Sequence, residues 1–428
     1  MTAPVPGRGR PTRAPFYGWV VVSGAFLVLF VAYGTQYAFG VFFSALLAEF
    51  GWSRASLSGA FSLYAFTYCA FGLAAGRLTD RVGPRWVIGL GGVLLGAGLC
   101  GMSQIRAIWH PYVLYGLVAA LGMSAAYVPC TATVARWFTR RRGLAIGVAS
   151  AGQGLGTFAL PPVAQLIVTR LGWRWAYVIF GIGIFFLLNL IATVMRRDPE
   201  SVGLRPDGAR APEREDATAR RGDTWTVGAA ARTTVFWLLF AIFGSSWISL
   251  FVPLVHLVPM AGELGIPPLA ASSLLSALGL AATLGRLLLG AVSDRAGRRP
   301  MLAIALAVQV IAFVALGRAH SLAGLYVAAA LFGISYAGVS VMFPAMVTDI
   351  FGREHAGALV GVLFATAGSA AAWGPLAAGW IYDTWGSYTP AWWFSAGFNL
   401  FALALLACSR LRVSPHPARS LDPSRPVG

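Results

Sequence analysis

Arg286 is the first residue from which chemistry can be argued. It lies in residues 278–299, LGLAATLGRLLLGAVSDRAGRR, an apolar run broken by one charge and followed by a short basic turn. If that run crosses a membrane, Arg286 is the one charge of the chain well inside a crossing. A charge there costs about 3 kcal/mol on insertion scales and therefore calls for a counter-charge or a wet cavity. A bound anion is one solution. The other is snorkelling, because the basic turn is only about one helical turn away and an arginine stem reaches that far. His256 is the histidine placed to titrate inside an apolar run; it is a proton-coupling candidate or else a satisfied interfacial imidazole. Every Asp and Glu stands in a loop, a tail or the end of a run, with Asp349 and Asp383 expected to cap or pair at helix ends. Tyr33, Gln36, Tyr37, Tyr127 and Tyr336 stand near the middle of runs, where their polar ends can donate to an anion. Trp373 either narrows such a site or packs, and Tyr112 and Tyr388 read as membrane-interface residues.

These residues need elements to position them, and composition says which. The 428 residues are 57% hydrophobic and 11% charged, against roughly 25% charged in soluble domains, so the chain is a membrane protein. Apolar runs of at least about 20 residues mark spanning helices. They fall near 17–43, 55–77, 85–104, 109–135, 143–169, 174–195, 233–260, 269–291, 300–318, 321–349, 355–382 and 389–410. The fold class is all-α, with twelve transmembrane helices in two six-helix bundles, 16–195 and 232–411. A polar linker, 196–231, joins them, and the tails are 1–15 and 412–428. The first run is about twice as long as a signal-peptide core and reads as a retained span.

Charge placement gives orientation. All 32 basic residues are arginine; 26 lie in the tails and even-numbered loops, five in the odd-numbered loops, and the last is Arg286. The positive-inside rule then puts both termini and the linker in the cytoplasm, with the protein in the cytoplasmic membrane. The net charge of +17 becomes a matter of topology and contact with anionic lipid, and no nucleic-acid partner is needed. Cys69, Cys100, Cys130 and Cys408 lie in apolar runs at no metal-like spacing, so buried free thiols are expected, with neither disulfide, metal nor cofactor.

The halves repeat. Gly76-x-Leu78-x-Asp80-Arg81-x-Gly83-x-Arg85 returns as Gly290-x-Val292-x-Asp294-Arg295-x-Gly297-x-Arg299, an offset of 214. The same offset relates Glu49 and Gly51 to Glu263 and Gly265, Gly143 and Gly147 to Gly357 and Gly361, Pro161 to Pro375, and Gly172 to Gly386. Two parallel six-span repeats follow from a gapless match of that extent. The paired turns resemble the loop signature of the major facilitator superfamily. In such turns the glycines permit close packing, and Asp80 can cap or pair with arginines across the halves, which points to gating.

A second string, Trp137-Phe138-Thr139-Arg140-Arg141-Arg142-Gly143-Leu144-Ala145-Ile146-Gly147-Val148-Ala149-Ser150-Ala151-Gly152, is similar to the monocarboxylate transporter family's pattern. The related oxalate/formate exchangers share much of it. Tyr17-Gly18-Trp19-Val20-Val21-Val22 resembles the end of that family's other signature, although Ala14, Pro15 and Phe16 replace the acidic residue and paired glycines that should precede it. Small residues at Gly143, Gly147, Ala151 and Gly154 read individually as helix packing.

The resemblance implies that Arg286, four residues before Gly290, binds the substrate carboxylate, and that Tyr127 and Tyr336 hydrogen-bond it. A guanidinium offers a carboxylate two parallel bonds, which lysine cannot imitate. Departures narrow the reading. Ala282 stands where vertebrate-type members carry an aspartate, Tyr37 where they carry a lysine, and Ala367-Gly368-Ser369 where dicarboxylate exchangers place a second cation. One fixed positive charge matches one carboxylate. The expected function is secondary transport of a small organic anion, a monocarboxylate, by alternating access in a monomer, coupled to a proton or a counter-anion. A proton-driven exporter of drugs or other amphiphiles is the alternative. A membrane enzyme would require convergent acids or histidines at one depth, and the sequence has none.

Overall fold

The computed structural model describes residues 16–208, 226–352 and 356–409; the tails and most of the polar linker lie outside them. In lipid every backbone N–H and C=O must be satisfied internally, so apolar runs this long become helices. Among the described residues twelve are long and apolar enough to cross a membrane. In the first half, spans 1–6 are Gly18–Phe50, Arg54–Val82, Pro84–Met102, Trp109–Trp137, Arg142–Leu171 and Trp173–Val194. In the second, spans 7–12 are Thr234–Glu263, Pro268–Gly290, Arg298–Arg318, Leu322–Phe351, Ala358–Trp385 and Thr389–Cys408. Span 1 runs two turns beyond its expected end and stops where Gly51 turns left-handed at φ 62°.

The repeat is written into the backbone. Gly51 and Gly265, Gly83 and Gly297, and Gly172 and Gly386 all have φ between 62° and 90°, each pair at the offset of 214. Side chains rarely adopt that conformation, so these helix ends need glycine.

Glycine also sets the distance between spans. A Cβ on Gly152 or Gly156 of span 5 would lie 2.2 or 2.0 Å from the Phe26 or Phe30 carbonyl of span 1, backbone against backbone. Gly154 meets Gly279 and Thr283 of span 8 and so joins the two halves. Gly143 and Gly147, expected to serve the same way, have open space where a Cβ would stand, with nothing within 4 Å; they lie toward the even-loop end, beyond the tight contact.

Four spans are interrupted halfway. Span 1 breaks at Ala38, span 4 just before Tyr127, span 7 between Ile248 and Val252, and span 11 at residues 371 and 372. Broken helices in a membrane are tolerated where the loosened backbone is buried in protein or lines a cavity. All four breaks border the central cavity described below.

The face carrying the odd-numbered loops is latched across the halves. Arg54, at the start of span 2, pairs with Glu263 at the end of span 7 and donates to the Tyr388 hydroxyl at 2.6 Å. Its guanidinium lies 3.7 Å over the Tyr382 ring, a cation–π contact. Asp383, at the end of span 11, accepts from the backbone N–H groups of Arg54 and Ala55 at 3.1 and 2.8 Å. A carboxylate from one half thus caps a helix of the other, at the end where the helix dipole favours negative charge. Tyr388 is accordingly 3% exposed, buried in the latch and not at a lipid interface.

The repeat explains why this pair crosses. Glu49, the counterpart of Glu263, pairs with Arg174 of its own half at 2.6 Å and accepts from the Trp173 indole. The position matching Arg174 is Tyr388, which carries no charge, so Glu263 takes its cation from the other half.

The even-loop turns behave differently. Asp80 pairs with Arg136 of span 4, inside its own half, and not with an arginine across the interface as expected. Arg81 and Arg85 are exposed. Arg299 donates to the carbonyls of Leu406 and Ser409 at 2.8 and 2.6 Å and so caps span 12. The Asp294 side chain lies outside the described residues, while Gly76, Gly290 and Arg295 sit in the last turns of spans 2 and 8 or just beyond. In the linker, Asp207 accepts from the Thr139 and Arg140 backbone N–H groups at 2.9 and 2.8 Å. Burial works against its charge, but these bonds, with the Thr139 hydroxyl and the Arg141 N–H, outweigh it and hold the carboxyl below its usual range.

Three outcomes are expected. Gly156→Ala must push spans 1 and 5 apart and should cost about 1–3 kcal/mol in thermal unfolding of purified protein, whereas Gly147→Ala should stay within about 0.5 kcal/mol. The Asp207 tie is present above the ordinary aspartate pKa and weakens as pH falls through the lowered value. Protease cleavage of the linker should therefore rise at acid pH in wild type, and already be raised at neutral pH in Asp207→Ala. For the latch, Asp383→Ala combined with Arg54→Gln should open the odd-loop face. With the other three cysteines replaced by serine, maleimide labelling of Cys69 from that face should quicken about tenfold, the population shift that ~1.4 kcal/mol produces.

Candidate cavity at the centre of the bundle

Helical spacing brings the central side chains together. Tyr33 and Tyr37 share one face of span 1, Tyr336, Ser340 and Phe343 one face of span 10, and Val360, Phe364, Gly368 and Ala371 one face of span 11. With Tyr68, Cys69, Tyr127, Gln153 and Trp247, they line a cavity of about 90 Å³ between the halves. The wall is mostly aromatic: Tyr33 packs edge-on to Tyr37 and Tyr127, and Tyr127 stacks on Phe364.

Tyr336 is the polar hub. Its hydroxyl lies 3.2 Å from that of Tyr37 and accepts from Gln153 Nε2 at 3.2 Å, so spans 1 and 5 of one half meet span 10 of the other there. The Arg286 guanidinium stands over the Tyr336 ring, its Cζ 5.5 Å from the centroid. Arg286 is half-buried. Its Nη1 is buried with no hydrogen-bond partner among the described residues. A buried guanidinium N–H left open is costly, and a carboxylate, with two oxygens in a plane, is the group that satisfies it best.

Of the residues singled out in the sequence, Tyr33, Tyr37, Tyr127 and Tyr336 line the cavity, and Arg286 stands beside it over the Tyr336 ring without being part of the lining. Three lie away from it. Gln36 is 1% exposed with both amide atoms unpaired, but one residue of helix turns it about 100° from Tyr37 and off the cavity wall. Trp373 is 66% exposed and shares an outer face with Trp380, seven residues on. Its neighbour Gly374 is the residue that packs inward, on the Ile248 carbonyl, so Trp373 faces away from the cavity.

His256 is also off the cavity, fully buried behind the latch. Its Nε2 lies 2.9 Å from the Pro375 carbonyl and 3.3 Å from the Ser58 hydroxyl, and its Nδ1 3.1 Å from the Tyr388 hydroxyl. The Pro375 oxygen can only accept, which assigns the proton to Nε2 and leaves Nδ1 to accept from Tyr388. A neutral imidazole with both nitrogens engaged fits the satisfied-residue reading.

Gln153 and Trp247 belong to the cavity without having been anticipated. Gln153 sits in a string of small residues that reads as packing, and its polarity was the available signal. Trp247 lies between Ser246 and Ser249 in the seventh apolar run, and that string does not say which way the indole faces.

Comparison with known proteins agrees with this architecture. The family model for the Major Facilitator Superfamily matches residues 25–260 and 245–427. Monocarboxylate transporter 12-B of Danio rerio is 27% identical over 419 residues, covering 92% of this chain and 87% of the relative. Monocarboxylate transporter 3 of Rattus norvegicus is 28% identical over 397 residues, covering 91% and 79%. Among solved structures, a bacterial homolog to the human lysosomal transporter Spinster, in an inward-facing and occupied conformation, superposes with a TM-score of 0.73 at 14% identity, covering 94% of this chain and 100% of that one. With the family model matched along both halves of a twelve-span helical fold, the chain belongs to the Major Facilitator Superfamily and is a membrane transporter, not an enzyme, resembling the monocarboxylate transporters.

Proposed function

We propose that the chain carries a small organic anion, a monocarboxylate, across the cytoplasmic membrane by alternating access, with both termini in the cytoplasm. The observation that carries this reading is the half-buried Arg286, with an open N–H beside a tyrosine-walled cavity where the halves meet. The names of the relatives at about 27% identity support the same substrate class.

In this reading a carboxylate bridges the halves. Arg286 of span 8 forms the paired bonds, and Tyr127 and Tyr336, from opposite halves, add hydroxyl donors. Binding neutralises the one fixed charge beside the cavity, which lowers the cost of closing apolar walls around it as the halves rock. In this reading the latch on the odd-loop face corresponds to access from the even-loop side, and the arginine bias supports that side being the cytoplasmic one. Coupling is to a proton or a counter-anion. His256 would have to surrender its bond to Tyr388 to take a second proton, so a proton travelling on the acid itself is the simpler route.

The test is uptake of radiolabelled monocarboxylates into proteoliposomes, with and without an inward proton gradient or internal anion. Arg286→Lys should lower transport about 100-fold, because a point charge cannot reproduce the paired bonds. Gln153→Leu should cost only about tenfold, since it removes a support of Tyr336 and no direct contact to the anion. Full activity in Arg286→Lys would overturn the assignment.

A further inference from the structure

Resting on the carboxylate reading above, the cavity wall carries one more step. We propose that the preferred cargo is an aryl monocarboxylate, a single aromatic ring joined to one carboxylate, and that Phe364 and Trp247 read the ring.

Polar groups are gathered at one end of the cavity, around Tyr336, Tyr37 and Gln153, with Arg286 beside them. The remaining wall is mostly apolar, with the hydroxyls of Tyr33, Tyr68, Tyr127 and Ser340 its exceptions, and nine of the seventeen lining residues are aromatic. Phe364 is the centre of that wall. It stacks parallel to Tyr127, centroids 6.1 Å apart at 14°, and meets Trp247 edge-on at 5.5 Å and 76°. Trp247 in turn stands edge-on to Phe343 at 5.0 Å. A panel of rings alternating between faces and edges offers a further ring both of the arrangements that aromatic pairs favour.

Gly368 makes room for the panel. A Cβ there would lie 3.3 Å from the Trp247 ring and 3.0 Å from Cys69 Sγ, so a larger residue would press the indole out of place. Trp247 is 6% exposed, and its indole N–H is buried without an acceptor among the described residues; a wall built only to exclude water would be served better by phenylalanine. The free space of about 90 Å³ is smaller than one ring and a carboxylate, so an aryl acid requires the panel to open on binding, and a multi-ring amphiphile requires far more. Lactate or acetate would satisfy the cation and leave the panel without a partner.

Competition in proteoliposomes tests this, using phenylacetate, cyclohexylacetate, lactate and succinate against a labelled monocarboxylate. Phenylacetate is expected to compete at least tenfold better than lactate, and about fivefold better than cyclohexylacetate, which matches it in size without the π-face. In Phe364→Leu the phenyl-to-cyclohexyl ratio should fall toward one; Phe364→Tyr, which keeps the ring, should preserve it and controls for folding. Gly368→Val should lower the same ratio by displacing Trp247. Equal competition by lactate and phenylacetate, or a ratio indifferent to Phe364→Leu, would overturn the proposal while leaving the carboxylate reading intact. If wild-type protein carries none of these anions, the carboxylate reading itself fails.

Discussion

A guanidinium set among apolar helices needs an answer from everything around it. Arg286 has no acidic neighbour in its span, and one of its N–H groups is buried without a partner among the described residues. Charge at that depth is expensive and open donors add to the cost; a site that an anion visits answers both, and the proposed function rests on that reading. The broken spans follow from the same need. Interrupted backbone borders the cavity at Tyr37, Tyr127, Phe251 and Ala371, where protein covers it, while the helices stay continuous where lipid would touch them.

The two halves began as the same pattern and have come to do different things. Glu49 and Glu263 are equivalent by repeat, yet one is neutralised at home by Arg174 and the other reaches across to Arg54. Replacing one cation of the repeat by Tyr388 is enough to turn a local ion pair into a bridge. That bridge is partly exposed, so its electrostatic contribution is modest, and the buried Tyr388 and the Asp383 cap add specificity of fit. A closure that must reopen in each turn of the proposed cycle is suited to many weak bonds. At the other face Asp80 and Asp349 pair with arginines of their own half.

Span number, order and the repeat were legible in the sequence because membrane crossing demands length and hydrophobicity that few other constraints can produce. Arg286 was legible for the converse reason, as a charge where charges are rare. Facing was not. Gln36 and Tyr37 are adjacent and both polar, and only the helix's rotation, interrupted at Ala38, decides which meets the cavity. Trp373 and Trp247 are both tryptophans in apolar runs; one faces outward and the other lines the cavity. Tyr388 near a span end looked like an interface anchor because its partners, Arg54 and His256, lie 334 and 132 residues away in the chain. Gly143 and Gly147 carried the spacing of packing residues, whereas the contacts fall at Gly152, Gly154 and Gly156. Pattern identifies the stripe, and contact with another span decides which of its residues count.

The central claim is that the cavity recognises a carboxylate through one guanidinium. Equilibrium titration of purified protein with phenylacetate and with phenylacetamide, its neutral counterpart of nearly the same shape, tests that claim without relying on transport. The acid is expected to bind about 100-fold more tightly than the amide in wild type, with the difference collapsing in Arg286→Gln. Equal affinity for the two in wild type would contradict it.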